Sequence, residues 1–225
     1  MNSPESNIQA PVRIVLVDDH PVVLEGYRIL LSSQADFLVC ATAGSAPEAV
    51  AAVERERPQL VITDLTMPGR SGLDLIKDLA ALAPALKILV ISMHDESLWA
   101  ERALKAGAKG YVMKDCDSST VIAAARAVLA GGIYLSPAMS ARVLGAFAST
   151  RPRGSSVSPL ECLSDREFEV FRLFGDGLTA KEIAAQLNIS PKTVAVHRDH
   201  IKDKIGFLTS AEMIREAVRW VASHG

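Results

Sequence analysis

Five polar side chains stand where short apolar runs end. Asp18 and Asp19 follow RIVLV, Asp64 follows QLVIT, Ser92 closes KILVIS, and Lys114 follows GYVM. Carboxylates gathered in one place repel one another, by about 4 kcal/mol for a pair roughly 4 Å apart in an effective dielectric near 20. A divalent cation with hard oxygen ligands relieves that charge economically, and Mg²⁺ commonly takes carboxylates, waters and a phosphate oxygen together. With the charge offset, Asp64 can act as an oxygen nucleophile toward a phosphoryl group, because carboxylates form aspartyl-phosphate intermediates. Lys114 would balance charge and Ser92 would supply a hydroxyl, in a transfer that depends mainly on positioning and electrostatic stabilisation. Each residue has a plainer reading when taken alone. An aspartate after a strand serves as a helix N-cap, a lysine is solvated, a serine is a turn hydroxyl, and Tyr111 is a half-buried strand aromatic. Their weight is joint. His20 and His94 adjoin the set without a ligand partner in sequence and read as rim residues.

The elements that must position these groups alternate along the chain. The apolar runs are RIVLV from Arg13, FLVCATA from Phe37, QLVIT from Gln59, KILVIS from Lys87 and GYVM from Gly110. Runs this apolar suit strands covered on both faces. Helical patterns lie between and after them, near Val22 to Ser32, Ala46 to Arg55, Gly72 to Leu82, Leu98 to Ala106 and Ser118 to Ala130. Five β-α units predict a doubly wound α/β domain with a five-stranded parallel sheet over residues 12–131. Such sheets bind ligands beyond the carboxyl ends of their strands, where all five polar residues fall. A turn at Pro68-Gly69 would hold the loop after Asp64 tightly.

After Gly131-Gly132 the alternation stops. SPAMSARVLGAF predicts one further helix, and TRPRGSSVSP has the composition of a linker, so residues 132–159 read as a linker carrying a helix. The smaller third segment, 160–225, is helical throughout. Ser164-Asp165-Arg166-Glu167 and Thr179-Ala180-Lys181-Glu182 have the form of capping boxes, and Ser190-Pro191 supplies an N-cap with proline at the first helical position. Gly175 and Gly177 read as the end of the first helix and Asn188 as the end of the second. Helix starts are predicted near Asp165, Ala180, Pro191 and Ala211.

Composition is permissive. Hydrophobic residues make up 49% of the 225 and charged ones 22%, which suits globular domains and excludes a mostly disordered chain. The first residues, MNSPESNIQAP, have neither a basic start nor an apolar stretch and read as a loose leader rather than a signal. No apolar run is long enough to span a bilayer. Cys40, Cys116 and Cys162 are odd in number and lack C-x-x-C spacing, so neither a disulfide framework nor a zinc site is expected, and a reducing cytoplasm fits best.

Taken together, Asp18-Asp19, the segment from Asp64 to Gly72 reading DLTMPGRSG, the ISMH around Ser92, and AGAKGYVMK ending at Lys114 resemble the receiver domain of two-component response regulators. The stretch from Leu163 to Gly206 resembles the LuxR-type helix-turn-helix of the NarL/FixJ family. The receiver resemblance implies the strand order 2-1-3-4-5, Asp64 as phosphoacceptor, and Mg²⁺ bound directly by Asp19, Asp64 and the main-chain carbonyl of Thr66, with Asp18 acting through water. It further implies that Lys114 grips the phosphoryl group, that Ser92 is the switch hydroxyl, and that the Tyr111 ring follows it inward. The implied partners are a sensor histidine kinase, double-stranded DNA and, on activation, a second copy of the chain. No enzymatic reaction is implied beyond its own Mg²⁺-dependent phosphorylation and dephosphorylation.

On a helix from Pro191 to Ile205, a rotation of 100° per residue sets Val194, His197, Arg198, Ile201 and Ile205 on one side. Lys192, Thr193, Ala195, Val196, Asp199 and His200 occupy the other, with Lys202 on the border, and this is the face available to a major groove. Lys192 and Thr193, at the helix start, are the best placed for backbone phosphate. His197 reads as structural. The family often carries lysine at outward positions here, where this chain has Ala195 and Asp199. From Leu160 onward nine Lys and Arg face ten Asp and Glu, so affinity for DNA is expected to be modest. Two other classes compete. A nucleotide-dependent enzyme on a flavodoxin-like sheet would need a glycine-rich phosphate loop where this chain has DDHPVV. A protein-interaction module whose DNA face has been abandoned would explain Ala195 and Asp199, and a salt-dependent duplex titration separates it from the main reading.

Overall fold

The structure is a computed structural model that describes residues 10–67, 71–148 and 159–224. The expected leader over its first nine residues, the Pro68-Gly69 turn and most of the TRPRGSSVSP linker lie outside them. Five strands, β1 (Val12–Val17), β2 (Phe37–Ala43), β3 (Leu60–Thr63), β4 (Lys87–Ser92) and β5 (Gly110–Met113), form one parallel sheet in the order β2-β1-β3-β4-β5. The helices between and after them are α1 (Pro21–Ser32), α2 (Ala46–Glu56), α3 (Gly72–Leu82), α4 (Glu96–Ala106) and α5 (Ser118–Leu129).

Alternation along each strand sorts the core into two layers. Ile14, Leu16, Leu60, Ile62, Leu89 and Ile91 pack toward α1 and α5, while Val15, Val17, Val61, Ile88 and Val90 pack toward α2, α3 and α4. Each such side chain, closed off from water, contributes about 1.5–3 kcal/mol. The apolar runs are therefore long enough to carry both layers, and they deliver Asp18, Asp64, Ser92 and Lys114 to one edge of the sheet.

The segment after α5 stays on this body. The Tyr134 carbonyl accepts the Tyr111 N–H at 2.9 Å, which covers the β5 edge. Helix α6 (Pro137–Ala148) follows, with Met139 buried and Arg142 donating to the Ser97 carbonyl at 3.0 Å.

The last segment contains α7 (Asp165–Gly175), α8 (Ala180–Gln186), α9 (Pro191–Ile205) and α10 (Ser210–His224). Both capping boxes form, at Ser164 with Glu167 and at Thr179 with Glu182, and Ser190 caps the Thr193 N–H at 3.0 Å. Asn188 takes the left-handed φ of 50° that closes α8. Gly177, with φ of 85°, takes the left-handed conformation just past the α7 C-cap. Gly175 is the last residue of α7, as its sequence reading expects, and has a further use: a Cβ there would lie 2.5 Å from the Ala217 carbonyl oxygen, so glycine lets α7 and α10 touch.

Candidate functional site

The carboxyl edge of the sheet holds the acidic set as a connected cluster. The Lys114 Nζ donates to Asp18 Oδ2 at 2.6 Å and to Asp64 Oδ2 at 2.7 Å, which draws two buried carboxylates to one ammonium. Burial alone would discharge Lys114, but those two hydrogen bonds prevail and hold its pKa above the ordinary lysine value. The other Asp64 oxygen, Oδ1, accepts the Leu65 N–H at 2.6 Å, so the carboxylate is fixed at both ends.

The loop carrying Asp64 turns back on itself at Gly72. Its N–H donates to the Leu65 carbonyl at 3.1 Å, and a Cβ at this position would stand 2.5 Å from the Leu65 Cα. Only glycine fits without moving the residue that holds Asp64. Gly72→Ala is therefore expected to destabilise the chain by about 1–3 kcal/mol in a urea melt, the usual cost of overpacking, and to lower reactivity at Asp64 with it. An unchanged urea midpoint would contradict this.

Asp19 groups with Asp18 and His20 rather than with Asp64. Single ligand atoms of Asp18, Asp19 and His20 all lie within 4.8 Å of one another. Among the described residues, Asp19 Oδ1 is shut off from water and accepts no hydrogen bond, although His20 Nδ1 stands 2.8 Å away. A buried anionic oxygen without a donor is what a hard cation satisfies, so the donor chemistry fits a divalent ion with oxygen ligands. His20, expected as a bystander on the rim, is exposed but leans on both aspartates, and its main-chain N–H caps Asp18 Oδ1 at 2.9 Å.

Ser92 is fully buried, and its Oγ accepts the His94 N–H at 3.3 Å. The Tyr111 ring, implied by the resemblance to move inward, is already wholly inside, with its hydroxyl donating to the His94 carbonyl at 2.7 Å. Burial keeps that hydroxyl protonated, far above the usual tyrosine range. Thr66 sits two residues after Asp64, and its hydroxyl is 2.7 Å from His94 Nε2. His94 therefore departs from its rim reading. It is half-buried, stacked on Trp99 at 4.9 Å, and pushed down to a pKa of about 4 by burial, with Arg172 and Lys114 adding to the effect.

The last four helices dock on α3 and α4 through the start of α7 and the residues just before it. Arg102 of α4 donates to the carbonyls of Leu160 and Leu163 at 2.9 and 3.2 Å, to Asp165 at 3.0 Å, and lies 4.4 Å from the Phe168 ring centre. Lys77 of α3 reaches the same Asp165 at 2.6 Å. Trp99 meets Phe168 edge-on at 5.1 Å, and Phe168 meets Trp220 at 5.4 Å.

Helix α9 is oriented as its periodicity predicts. Val194 and Ile201 are buried, His197 is half-buried with Nδ1 unpartnered among the described residues, and Ile205 packs on the core. Lys192, Val196 and Asp199 are exposed, with Thr193, Ala195 and Lys202 half-buried beside them. Two details qualify the expected contacts. The Thr193 N–H and hydroxyl are both engaged by Ser190, which leaves the Lys192 ammonium as the freer phosphate contact. Asp199 stands 3.3 Å from Lys202 and diverts that charge. Docking on α4 leaves this face open to solvent.

Residues 14–126 match the family model described as response regulator receiver domain, and residues 161–217 match the model described as bacterial regulatory proteins, luxR family. The chain is 35% identical over 211 residues to the oxygen regulatory protein NreC of Staphylococcus carnosus, covering 92% of this chain and 97% of that protein. Among solved structures, it resembles a LuxR-family two-component response regulator from Aurantimonas, 37% identical, with a TM-score of 0.58 over 61% of this chain and 99% of that one. It also resembles RcsB from Salmonella enterica serovar Typhimurium bound to a promoter in the presence of phosphomimetic BeF3-, 26% identical, with a TM-score of 0.64 over 92% of this chain and 98% of that one.

Proposed function

The chain belongs to the response regulators that join a receiver domain to a LuxR-type helix-turn-helix, and from that premise we propose that Asp64 accepts a phosphoryl group from a sensor histidine kinase and so controls dimerisation and binding to duplex DNA. The observation that carries this reading is the single Lys114 ammonium joining Asp18 and Asp64 at the carboxyl edge of the sheet, beside the buried Ser92.

Asp64 supplies the attacking oxygen, and the Leu65 N–H holds its other oxygen in place. Lys114 faces the side on which the phosphoryl oxygens arrive and balances their charge. Asp18, Asp19, Asp64 and the Thr66 carbonyl are the groups that would hold Mg²⁺, which when bound offsets the carboxylate charge and polarises the phosphoryl group. The new group adds about −1.5 to −2 charge. Ser92 and Tyr111 answer that charge, and the surface of α4 and β5 changes with them. Because the α9 face is already open, docking does not control DNA by covering these side chains. It controls which orientation the helix-turn-helix can take, and hence which dimers match two half-sites one helical turn apart. The protein performs no reaction beyond its own phosphorylation and dephosphorylation. No helix among the described residues is long and apolar enough to cross a membrane, and a cytoplasmic regulator is the proposed setting.

Incubating the full chain with a small phosphoryl donor and Mg²⁺, with Asp64→Asn as control, tests the chemistry. One phosphoryl group on the wild type and none on the variant is expected, and label retained by the variant would remove Asp64 from its role. On the DNA side, Asp199→Asn frees Lys202 and removes a charge facing phosphate. Duplex affinity is expected to rise about three- to tenfold, with the logarithmic salt slope steeper by about 1. Gel-shift titrations across salt read both, and no duplex binding by either protein at low ionic strength would favour the interaction-module reading.

A further inference from the structure

We infer that His94 is the positioning residue through which the state of Asp64 reaches the DNA-binding domain, an inference that rests on the phosphoacceptor reading above. His94 is held at three points, each by a group from the phosphoacceptor edge. Its N–H donates to the Ser92 hydroxyl at 3.3 Å, its carbonyl accepts the Tyr111 hydroxyl at 2.7 Å, and its Nε2 is bonded to the Thr66 hydroxyl at 2.7 Å. Thr66 is two residues from Asp64, so a phosphoryl group there cannot displace the loop, the Ser92 hydroxyl or Tyr111 without a pull on His94.

The fourth contact leads away from the site. The His94 ring lies face to face with Trp99, 4.9 Å between centroids and 20° between planes. Trp99 is buried in α4 and abuts Phe168 of α7 at 5.1 Å, and Phe168 abuts Trp220 of α10 at 5.4 Å. Aromatic pairs of this geometry depend on ring orientation, so turning the first ring alters the seat of the others. Packed rings of this kind rearrange between discrete arrangements rather than deform continuously, which is what a coupling element needs. The Thr66 hydroxyl sets the rotation of the His94 ring, and that bond is the link by which movement at the metal-binding loop becomes rotation against Trp99.

The chain reports on this contact directly, because Trp99 and Trp220 are its two tryptophans and both belong to the stack. The full chain is treated with a small phosphoryl donor and Mg²⁺, incorporation is followed by intact mass, and tryptophan emission is recorded before and after. His94→Phe keeps an aromatic face and loses the bond to Thr66, and Thr66→Val removes the same bond from the other end. The wild type is expected to shift its emission on phosphorylation. Measured against its own resting emission, each variant is expected to respond at least about fivefold less than the wild type, with the double variant no worse than either single because all three remove one interaction. A full-size response in either variant that carries the phosphoryl group overturns the role of His94 and leaves the phosphoacceptor reading intact. Should His94→Phe fail to fold, Thr66→Val decides the matter alone. A wild type that takes no phosphoryl group at Asp64 defeats both.

Discussion

Phosphoryl incorporation at Asp64 is expected to fall by about 10²–10³ when Lys114 is replaced by glutamine, while the same change tightens the binding of a divalent cation. The two effects have one origin. Lys114 is the single ammonium shared by Asp18 and Asp64, both almost wholly buried. Glutamine can still donate one hydrogen bond but brings no charge, so the carboxylates face each other uncompensated. Breaking a buried ion pair from one side typically costs about 3–5 kcal/mol. The metal-free variant should therefore melt well below the wild type, and Mg²⁺ should recover more stability for it than for the parent, because the ion no longer competes with an ammonium for the same oxygens. Transfer nonetheless slows, since the charge lost is the one that meets the arriving phosphoryl oxygens. Melting curves with and without Mg²⁺, set beside rates of incorporation from a small donor, separate the terms. A rate within about twofold of wild type would show that Lys114 merely neutralises the resting site.

That cluster was legible in the sequence because the doubly wound sheet does the gathering. Once five short apolar runs are read as parallel strands, their final residues must meet at one edge, and the polar groups among them identify themselves. The capping signals were equally plain, since Ser164 with Glu167, Thr179 with Glu182, and Ser190 before Pro191 act within a few residues of themselves. What the residues did not disclose depends on partners distant in the chain. His94 looked like a rim histidine because neither Thr66 nor Trp99 is marked as its neighbour by any local pattern. Gly175 was legible as the end of α7, but its second use, the close approach of α10, depends on a helix that no local pattern places beside it. The side chains that join the two domains were hidden. Arg102 and Lys77 lie on the polar sides of amphipathic helices, where solvent is the default reading, and only the fold brings Asp165 to both.

Arg102 is the anchor of that interface, and its loss is the second large effect expected. The guanidinium makes two hydrogen bonds to main-chain carbonyls and an ion pair to Asp165, and covers the Phe168 ring, with a side chain only 16% exposed. Hydrogen bonds from a charged donor are worth about 1.5–3 kcal/mol each, but water replaces some of them once the domains part, and Lys77 still holds Asp165. A net loss of about 3 kcal/mol for Arg102→Ala is a reasonable balance, which turns a docked-to-open ratio of 99:1 into roughly 1:1. The unphosphorylated variant should then bind duplex carrying two half-sites about tenfold or more tightly than the unphosphorylated parent, since far more of its helix-turn-helix domains are free to pair in register. Phosphorylation should add correspondingly less, because the equilibrium it biases has already been moved. Gel shifts of both proteins, each with and without a phosphoryl donor, supply the four affinities needed, and small-angle scattering reads the opening as a larger radius of gyration. If Arg102→Ala opens the chain in solution while leaving duplex affinity unchanged, docking is not what restrains the DNA-binding domain, and control must pass wholly through the pairing of receivers.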